Sequence, residues 1–175
     1  ARNTSNQAQP ITSPVEIGSP PAGKSGVMVY FGTGSFFASG DNTNTDVQSV
    51  YGVLDSGSRL TTTDRSELQQ QSIIFRDVDT ASSKKVTVLS NNTLDWTTKR
   101  GWYIDMLQPP SGTAQGERVV SIPLLRHGRI IFATLIPSAD PCSFGGDSWT
   151  IEFDAITGGR LSYSVFDINN DGKID

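Results

Sequence analysis

The stretch SWTIEFDAITGGRLSYSVFDINNDGKID, residues 148–175, carries the signals that decide the fold. Its first part predicts a strand from Ser148 to Asp154, and the turn AITGG leads into a second predicted strand from Arg160 to Phe166. The acidic segment DINNDGKID, residues 167–175, follows that strand directly. Strands joined by a glycine turn, with no helix signal between them, indicate an all-β architecture.

Residues 167–175 have the spacing of a calcium loop, because oxygen-bearing side chains occupy alternate positions. Calcium takes six to eight oxygen ligands, and an EF-hand loop supplies them from positions one, three, five and nine and from the backbone carbonyl at position seven. Gly172, at position six, permits the sharp turn. We therefore predict a calcium site whose ligands are Asp167, Asn169, Asp171, Lys173 (through its carbonyl) and Asp175.

The loop differs from an EF-hand in its setting, since the preceding segment GGRLSYSVF predicts a strand and no bidentate Glu occurs at position twelve. We expect an EF-hand-like loop, residues 166–175, attached to a β-strand. A surface turn that binds no metal is the alternative. Magnesium fits less well, because it retains its waters and seldom uses an all-protein cage.

Composition excludes several classes of protein. The 175 residues carry a formal net charge of −4 with a pI near 4.9, and no run of Lys or Arg points to nucleic acid. No apolar stretch approaches the roughly 20 residues of a membrane span. The chain does not begin with Met, and we expect it to be part of a longer polypeptide. Cys142 is the single cysteine, either a free thiol or paired outside this sequence.

The pattern along the chain predicts a linker or arm over residues 1–25 and part of a β-propeller over residues 26–175. Eight or nine short strands are expected, with Glu67–Arg76 readable as a helix or a strand and the strand favoured. The other predicted strands are Gly26–Gly34, Ser49–Asp55, Ser83–Leu89, Gly101–Leu107, Arg118–Leu125, Arg129–Ile136 and the two already given.

Two further polar features have ordinary structural interpretations. Asp41, Asn42, Asn44 and Asp46 form an acidic cluster, but their spacing is irregular, and a polar hairpin tip is favoured over a second cation site. His127 lies in the predicted hairpin turn Arg126-His127-Gly128 without a local orienting partner, so we expect no nucleophile–base pair and no enzyme activity.

Short strands joined by hairpins suit a sandwich, a barrel or propeller blades. Blades are favoured because VYGVLDSG and TIEFDAITGGRL both end a strand in Asp followed by a glycine turn. The second resembles the outer-strand signature of quinoprotein-type propellers. About three blades would fit this length, fewer than a complete propeller.

Longer segments together resemble one family. VYFGTGSFF, QSVYGVLDSG, GWYIDM, GERVVSIPLLRHGRIIFATLIPSADPC and residues 148–175 are similar to the C-terminal domain of the PilY/PilC proteins of bacterial type IV pili. The resemblance runs from about Gly26 to Asp175. It implies a modified, quinoprotein-like β-propeller with a nine-residue calcium loop matching the five ligands above.

The resemblance also implies a function. Members of that family are secreted to the bacterial cell surface, at the pilus tip (the fimbrium) and in the outer envelope. They act in virulence, in attachment to surfaces and host cells, in pilus extension and retraction, and in twitching motility. Pilins or minor pilins and host surface receptors would be the partners. The alternatives are a fragment of a quinoprotein dehydrogenase, which would carry a quinone cofactor, and a scaffold in which calcium only fastens a loop.

Overall fold

The structure is a computed structural model, and it describes residues 1–58, 65–79, 84–138, 140 and 146–163. This part of the chain contains no helix and is built from short strands, as the sequence predicts for an all-β fold. In chain order the strands are β1 Glu16–Gly18, β2 Val27–Gly32, β3 Ser49–Asp55, β4 Gln69–Gln71, β5 Ile73–Asp79, β6 Lys84–Leu89, β7 Gly101–Asp105, β8 Leu107–Gln108, β9 Thr113–Ala114, β10 Leu124–Arg126, β11 Arg129–Ala133, β12 Ile136–Pro137, β13 Gly146–Asp147 and β14 Thr150–Asp154.

The largest sheet has five strands in the order β1-β2-β3-β7-β4. All neighbours are antiparallel except β4, which runs parallel to β7. The continuous apolar run VMVYF, residues 27–31, predicts a strand buried on both faces, and this prediction is wrong. Met28, Tyr30 and Gly32 are buried, whereas Val27 is exposed and Val29 is half-buried. The second face of this sheet is covered only in part, so β2 has the alternation of a strand with one core-facing side.

A second sheet has the order β10-β11-β14, and three two-stranded sheets complete the described fold: β5-β6, β8-β9 and β12-β13. One hydrophobic core joins the two larger sheets. Trp102 of β7 is fully buried, meets Phe153 of β14 edge-on with the ring centroids 5.3 Å apart, and donates its indole N–H to the Ala155 carbonyl at 3.0 Å. A Cβ on Gly52 would lie 2.4 Å from the Trp102 ring, so the ring requires glycine on the neighbouring strand.

Residues 1–25 behave as an arm that packs along the large sheet. β1 pairs with β2, so part of the arm is an edge strand. Gln9 is buried, and its side-chain amide donates to the Val47 carbonyl and to Ser49 Oγ, each at 2.8 Å. Polar contacts therefore hold this segment against the large sheet. Its sequence lacks the apolar periodicity that would predict such packing. The domain boundary after residue 25 stays a prediction.

Several predicted strands are confirmed. Ser49–Asp55 has the predicted bounds, and Glu67–Arg76 contains strand rather than helix, divided between β4 and β5 at Ser72. The hairpin at residues 126–129 is also confirmed, since Arg126 pairs with Arg129 across His127 and Gly128.

The predicted strand Arg118–Leu125 is wrong over most of its length. Arg118 forms only an isolated bridge with Leu135, and regular pairing resumes at Leu124. Val119 instead packs where a Cβ on Gly32 would be, and Pro123 has no backbone N–H to donate. The predicted strand Arg129–Ile136 ends at Ala133, and Gly101–Leu107 is interrupted at Met106.

Candidate functional site

The five predicted calcium ligands, Asp167, Asn169, Asp171, Lys173 and Asp175, lie outside the described residues, as does Cys142. The structure does describe the segment that leads towards the loop, as far as Tyr163. Residues 160–163 are not in a strand, so that part of the predicted strand Arg160–Phe166 is wrong. The calcium site itself stays a prediction.

The turn after β14 fixes the path of the chain towards the predicted loop. One carboxylate oxygen of Asp154 accepts hydrogen bonds from the backbone N–H of Ile156 and Thr157 and from the Thr157 hydroxyl, at 2.7–2.9 Å. The Arg160 N–H then donates to the Ser90 carbonyl at 3.0 Å. Asp154 of the segment DAITGG therefore acts as a turn residue, and residues up to 160 are anchored to the body of the fold.

The loop of residues 35–46, which contains the second acidic cluster, is held by hydrogen bonds within the protein. One Asp41 carboxylate oxygen accepts from Ser35 Oγ and from the N–H groups of Phe37 and Ala38, at 2.8–2.9 Å. These bonds, led by the one from Ala38, lower the pKa of Asp41. The carboxylate of Asp46 accepts from the Asn44 side chain at 2.9 Å. This geometry supports the polar hairpin tip.

Arg118 supplies a fixed positive charge beneath this loop. Its guanidinium donates to the backbone carbonyls of Gly116 at 2.7 Å and of Ser35 and Asp41 at 2.8 Å, and also to the carbonyl of Asn44. Burial lowers the pKa of Arg118, and the carboxylates of Asp41 and Asp46 act in the opposite direction. Four inward-pointing carbonyls around one cation resemble the coordination that calcium takes in a loop, but here the cation is a side chain.

Glu117, the residue before Arg118, belongs to a second buried cluster with Arg76, Thr134 and Trp149. Glu117 makes a two-point ion pair with Arg76, at 2.5 and 2.9 Å, and accepts from the Thr134 hydroxyl at 2.7 Å. The Arg76 guanidinium lies 4.6 Å from the centre of the Trp149 ring. This buried ion pair joins the β5-β6 hairpin to residues that flank β11 and β14, and the Arg76 Nε is left without a hydrogen-bond partner among the described residues. Removing either charged partner would leave an uncompensated charge.

A third arginine, Arg65, binds the N-terminal segment of residues 1–25 to the large sheet. Arg65 forms an ion pair with Asp105 at 2.6 Å, donates to Gln9 Oε1 at 3.1 Å and lies over the Tyr103 ring at 4.4 Å from its centre. The hydroxyl of the neighbouring Tyr51 donates to Gln9 at 2.6 Å, and burial raises the pKa of Tyr51 to about 12. This hydroxyl is therefore neutral at physiological pH and can act as a donor.

Glu117 and Arg118 lie in one of the segments that carry the family resemblance, but the sequence alone assigned them no role, and Arg65 and Arg76 were not among the candidate residues. Each arginine binds groups far away in the chain; Arg118 and Asn44, for example, are separated by 74 positions. A charged residue inside an apolar stretch, as in GERVV and IIFRDV, was the available signal.

The described residues contain no metal-binding constellation. They hold no group of three or more His, Cys, Asp or Glu side chains placed to bind a metal ion. His127 is exposed at the tip of the β10-β11 hairpin, as expected. No helix in the described part of the chain is long and apolar enough to cross a membrane.

Comparison with known proteins gives consistent results. No family model matches the chain. A type IV pilus biogenesis factor PilY1 homolog of Xylella fastidiosa is 36% identical over 163 residues, which are 91% of this chain and 10% of that protein. PilY1 of Pseudomonas aeruginosa PAO1 is 31% identical over 194 residues, covering all of this chain and 16% of that protein. The crystal structure of the Pseudomonas aeruginosa PilY1 C-terminal domain matches with a TM-score of 0.85 and 29% identity.

The chain belongs to the PilY family. It covers 37% of the solved C-terminal domain, so its all-β fold is part of the β-propeller-like fold of PilY1. The predicted resemblance and fold class are therefore confirmed. The chain spans about a tenth to a sixth of the length of the curated relatives it matches.

Proposed function

We propose that this chain is a calcium-binding part of the propeller-like domain of a PilY protein that acts in type IV pilus biogenesis. The protein works at the pilus tip and in the outer envelope, where it contacts pilins or minor pilins and host surface receptors. Calcium in the loop of residues 167–175 controls pilus extension and retraction, and through them twitching motility and attachment. The sequence and fold match to the PilY1 C-terminal domain is the observation that carries this proposal.

The calcium part of the proposal is supported by the pattern of residues 167–175 and by the anchored turn before them. Three carboxylates, one amide oxygen and one carbonyl supply five oxygens, close to the six to eight that calcium takes. Asp154 and the Arg160–Ser90 hydrogen bond hold the approach to the loop. The predicted ligands are confined to nine consecutive residues, so binding does not require the core to repack.

We propose a binding and assembly role rather than catalysis. The curated relatives are named as biogenesis factors, which fits a protein without enzyme activity. A dehydrogenase propeller would need a quinone, and the calcium in that class lies in the cofactor pocket, whereas here all predicted ligands come from nine consecutive residues.

Calcium regulates only if the occupied and empty loops differ in affinity for a partner, because equal affinity shifts no equilibrium. Asp175 is the ligand to test, since its loss removes one anionic oxygen at the edge of the loop. We expect Asp175→Ala, in the protein as its organism makes it, to change the number of surface pili and the rate of twitching. Lys173→Ala is the matched control, because alanine keeps the ligating carbonyl.

The measurements are pilus counts by electron microscopy, twitching zones, and calcium affinity of the purified protein. Altered pili in Asp175→Ala with normal pili in Lys173→Ala support regulation. Normal pili in Asp175→Ala with binding verifiably lost would show that calcium only fastens the loop. Absence of calcium binding in the unaltered protein would remove the calcium part and leave the biogenesis role standing.

A further inference from the structure

An open cleft of about 610 Å³ lies at one end of the large sheet, remote in sequence from the predicted calcium loop. Its walls are the turn before β7, the end of β3 and the turn before β2. The volume is within the range of small-ligand sites. We call it the Trp96 cleft, after its largest side chain, and the residues that matter here are Lys24, Glu67, Trp96, Thr97, Lys99 and Arg100.

The Trp96 cleft concentrates positive charge on an acidic protein. Among the described residues that line it, Lys24, Lys99 and Arg100 stand against one carboxylate, that of Glu67, in a chain whose net charge is −4. Glu67 is 4.0 Å from Arg100, and Asp95 lies beside the rim, so part of the charge is compensated. Arg100 also donates to Ser56 Oγ at 3.1 Å and to the Ser58 carbonyl at 2.9 Å, uncharged groups that fix its position. The remaining excess attracts anions, because clefts focus the field of the charges that line them.

The described cations outside the cleft are largely used by the fold itself. Arg65 and Arg76 are ion-paired in the interior, and Arg118 is bound by backbone carbonyls. Arg129 pairs with Glu152 on the neighbouring strand β14, and Lys85 pairs with Asp147 of β13. In the cleft, by contrast, Lys99 donates to the uncharged Ser66 carbonyl at 2.6 Å, which fixes its position without neutralising it.

The wall that carries Trp96 is preorganised. The Asp95 carboxylate accepts from the Thr97 N–H at 2.9 Å, from the Thr97 hydroxyl at 2.7 Å and from the Thr98 hydroxyl at 3.1 Å. The Lys99 N–H donates to the Asp95 carbonyl at 2.8 Å, and the Arg100 N–H donates to the Glu67 carbonyl at 2.8 Å. A turn that is already held in place loses little entropy when a ligand binds.

Trp96 adds an apolar surface to these charges. Its ring is half-buried and packs against the core, so the part that remains exposed is held in a fixed orientation. Hydroxyl side chains, including Thr97 and Thr98, flank the ring. An aromatic face beside hydroxyls and cations suits a ligand with an apolar C–H face, hydroxyl groups and an acidic substituent.

We propose that the Trp96 cleft binds an anionic saccharide, whose sugar ring packs on Trp96 and whose carboxylate or sulfate group is held by Lys24, Lys99 and Arg100. The site is independent of the calcium loop and goes beyond the proposed role in pilus biogenesis. Its ligand class is set by the combination of ring and cations: a bare anion would not use Trp96, and a neutral sugar would not use the lysines.

The test is a titration of the full chain with a heparin-derived tetrasaccharide in the absence of calcium. Calorimetry and tryptophan fluorescence monitor the binding. Trp102 and Trp149 are buried, so a fluorescence change on binding reports mainly on Trp96. Chitotetraose, a neutral saccharide, and inorganic sulfate are titrated in parallel. Lys24→Gln is compared with Lys85→Gln, which makes the same change of charge on β6, and Trp96→Leu keeps an apolar side chain.

Saturable binding of the tetrasaccharide, weakened about tenfold by Lys24→Gln and by Trp96→Leu but within about twofold of normal in Lys85→Gln, supports the proposal. Four results overturn it: absence of binding, equal weakening by the two lysine variants, equal affinity for chitotetraose, or full displacement by sulfate at the concentration of the tetrasaccharide. Because Lys24 is exposed, its variant tests the site even if Trp96→Leu unfolds the chain. Failure here leaves the pilus function untouched, since no pilus component or calcium enters the experiment.

Discussion

At the scale of single residues, three arginines organise the molecule. Arg65 fastens the arm, Arg76 joins a hairpin to the second sheet, and Arg118 holds the loop of residues 35–46. Unlike Arg65 and Arg76, Arg118 forms no ion pair with a carboxylate in the described part of the chain and binds backbone carbonyl oxygens instead. The contribution of Arg118 to the free energy of unfolding should therefore be the easiest of the three to measure.

We expect Arg118→Ala to lower the free energy of unfolding by about 2–4 kcal/mol, because four carbonyls lose a charged donor and a buried volume is emptied. Urea denaturation measures the difference. Arg126→Ala is the control, since Arg126 is exposed at the end of β10, and it should change stability by less than about 0.5 kcal/mol. Equal midpoints for the two variants would show that the carbonyls around Arg118 are satisfied without it.

Asp41 makes the hydrogen bonds of the loop of residues 35–46 depend on pH. The hydrogen bonds from Ala38, Phe37 and Ser35 lower the pKa of Asp41 in the folded protein, so these bonds persist at neutral pH and are lost as the pH falls through the folded-state pKa. We expect hydrogen-exchange protection of the Phe37 and Ala38 amides to be constant above about pH 5 and to fall below about pH 4. Asp41→Asn, which cannot ionise, should remove this dependence. Loss of protection already at pH 6 would contradict the assignment.

The sequence could predict the polar character of residues 41–46 but not their organisation. An irregular acidic cluster is compatible with a metal site or with a self-bonded turn, and local spacing does not distinguish the two. The deciding residue, Arg118, is 77 positions from Asp41 in the chain. Only the tertiary fold brings its charge beneath the loop.

At the scale of elements, the sequence predicted strands best where apolar residues are continuous, as in Ser49–Asp55. The strand predictions failed where residues expected to pair in a sheet make a tertiary contact instead. Val119 packs against Gly32, and the Thr134 hydroxyl bonds Glu117 just after β11 ends. Both contacts link positions far apart in the chain, so the local pattern of apolar residues does not contain them.

The β10-β11 hairpin offers a test of turn chemistry. His127 and Gly128 have φ angles of 50° and 75°, as a type I′ turn requires, and Asn is favoured over His at the first position. We expect His127→Asn to stabilise the chain by about 0.3–1 kcal/mol and Gly128→Ala to destabilise it by about 1 kcal/mol.

Thermal unfolding followed by circular dichroism measures both changes. No atom lies within 4 Å of a Cβ on Gly128, so the alanine variant tests the backbone alone. A stabilising Gly128→Ala would show that the turn is not type I′. Because His127 is exposed and outside any catalytic group, His127→Asn should leave the function of the protein unchanged.

At the scale of the whole molecule, the sequence identified the family and the propeller-like fold because five segments between Gly26 and Asp175 together resemble the C-terminal domain of that family. The arrangement of the sheets was not predictable. β4 lies beside β7 although twenty-nine residues of chain separate Gln71 from Gly101, and it runs parallel to that strand. Non-local pairing of this kind depends on the core around Trp102, which gathers side chains from both larger sheets.

The predicted calcium loop should make the stability of the whole molecule depend on calcium. An ion that binds only the folded chain adds about 2.7 kcal/mol when present at about 100 times its dissociation constant. Three carboxylates around a doubly charged ion favour a dissociation constant between those of extracellular modules, about 10⁻⁴–10⁻³ M, and those of sensors, about 10⁻⁷–10⁻⁵ M. Millimolar calcium should therefore raise the melting temperature, and equal magnesium should raise it less, because magnesium prefers to keep its waters.

Two variants identify the ligands responsible for that shift. Asp171→Ala removes a charged oxygen that no backbone group replaces, so both calcium binding by calorimetry and the calcium-dependent rise in melting temperature should disappear. Lys173→Ala keeps the ligating carbonyl and removes a nearby positive charge, so its affinity should equal or slightly exceed that of the unaltered chain. Equal losses in the two variants would refute the ligand assignment. A melting temperature that calcium leaves unmoved in the unaltered chain would mean that residues 167–175 form an acidic turn without a bound ion.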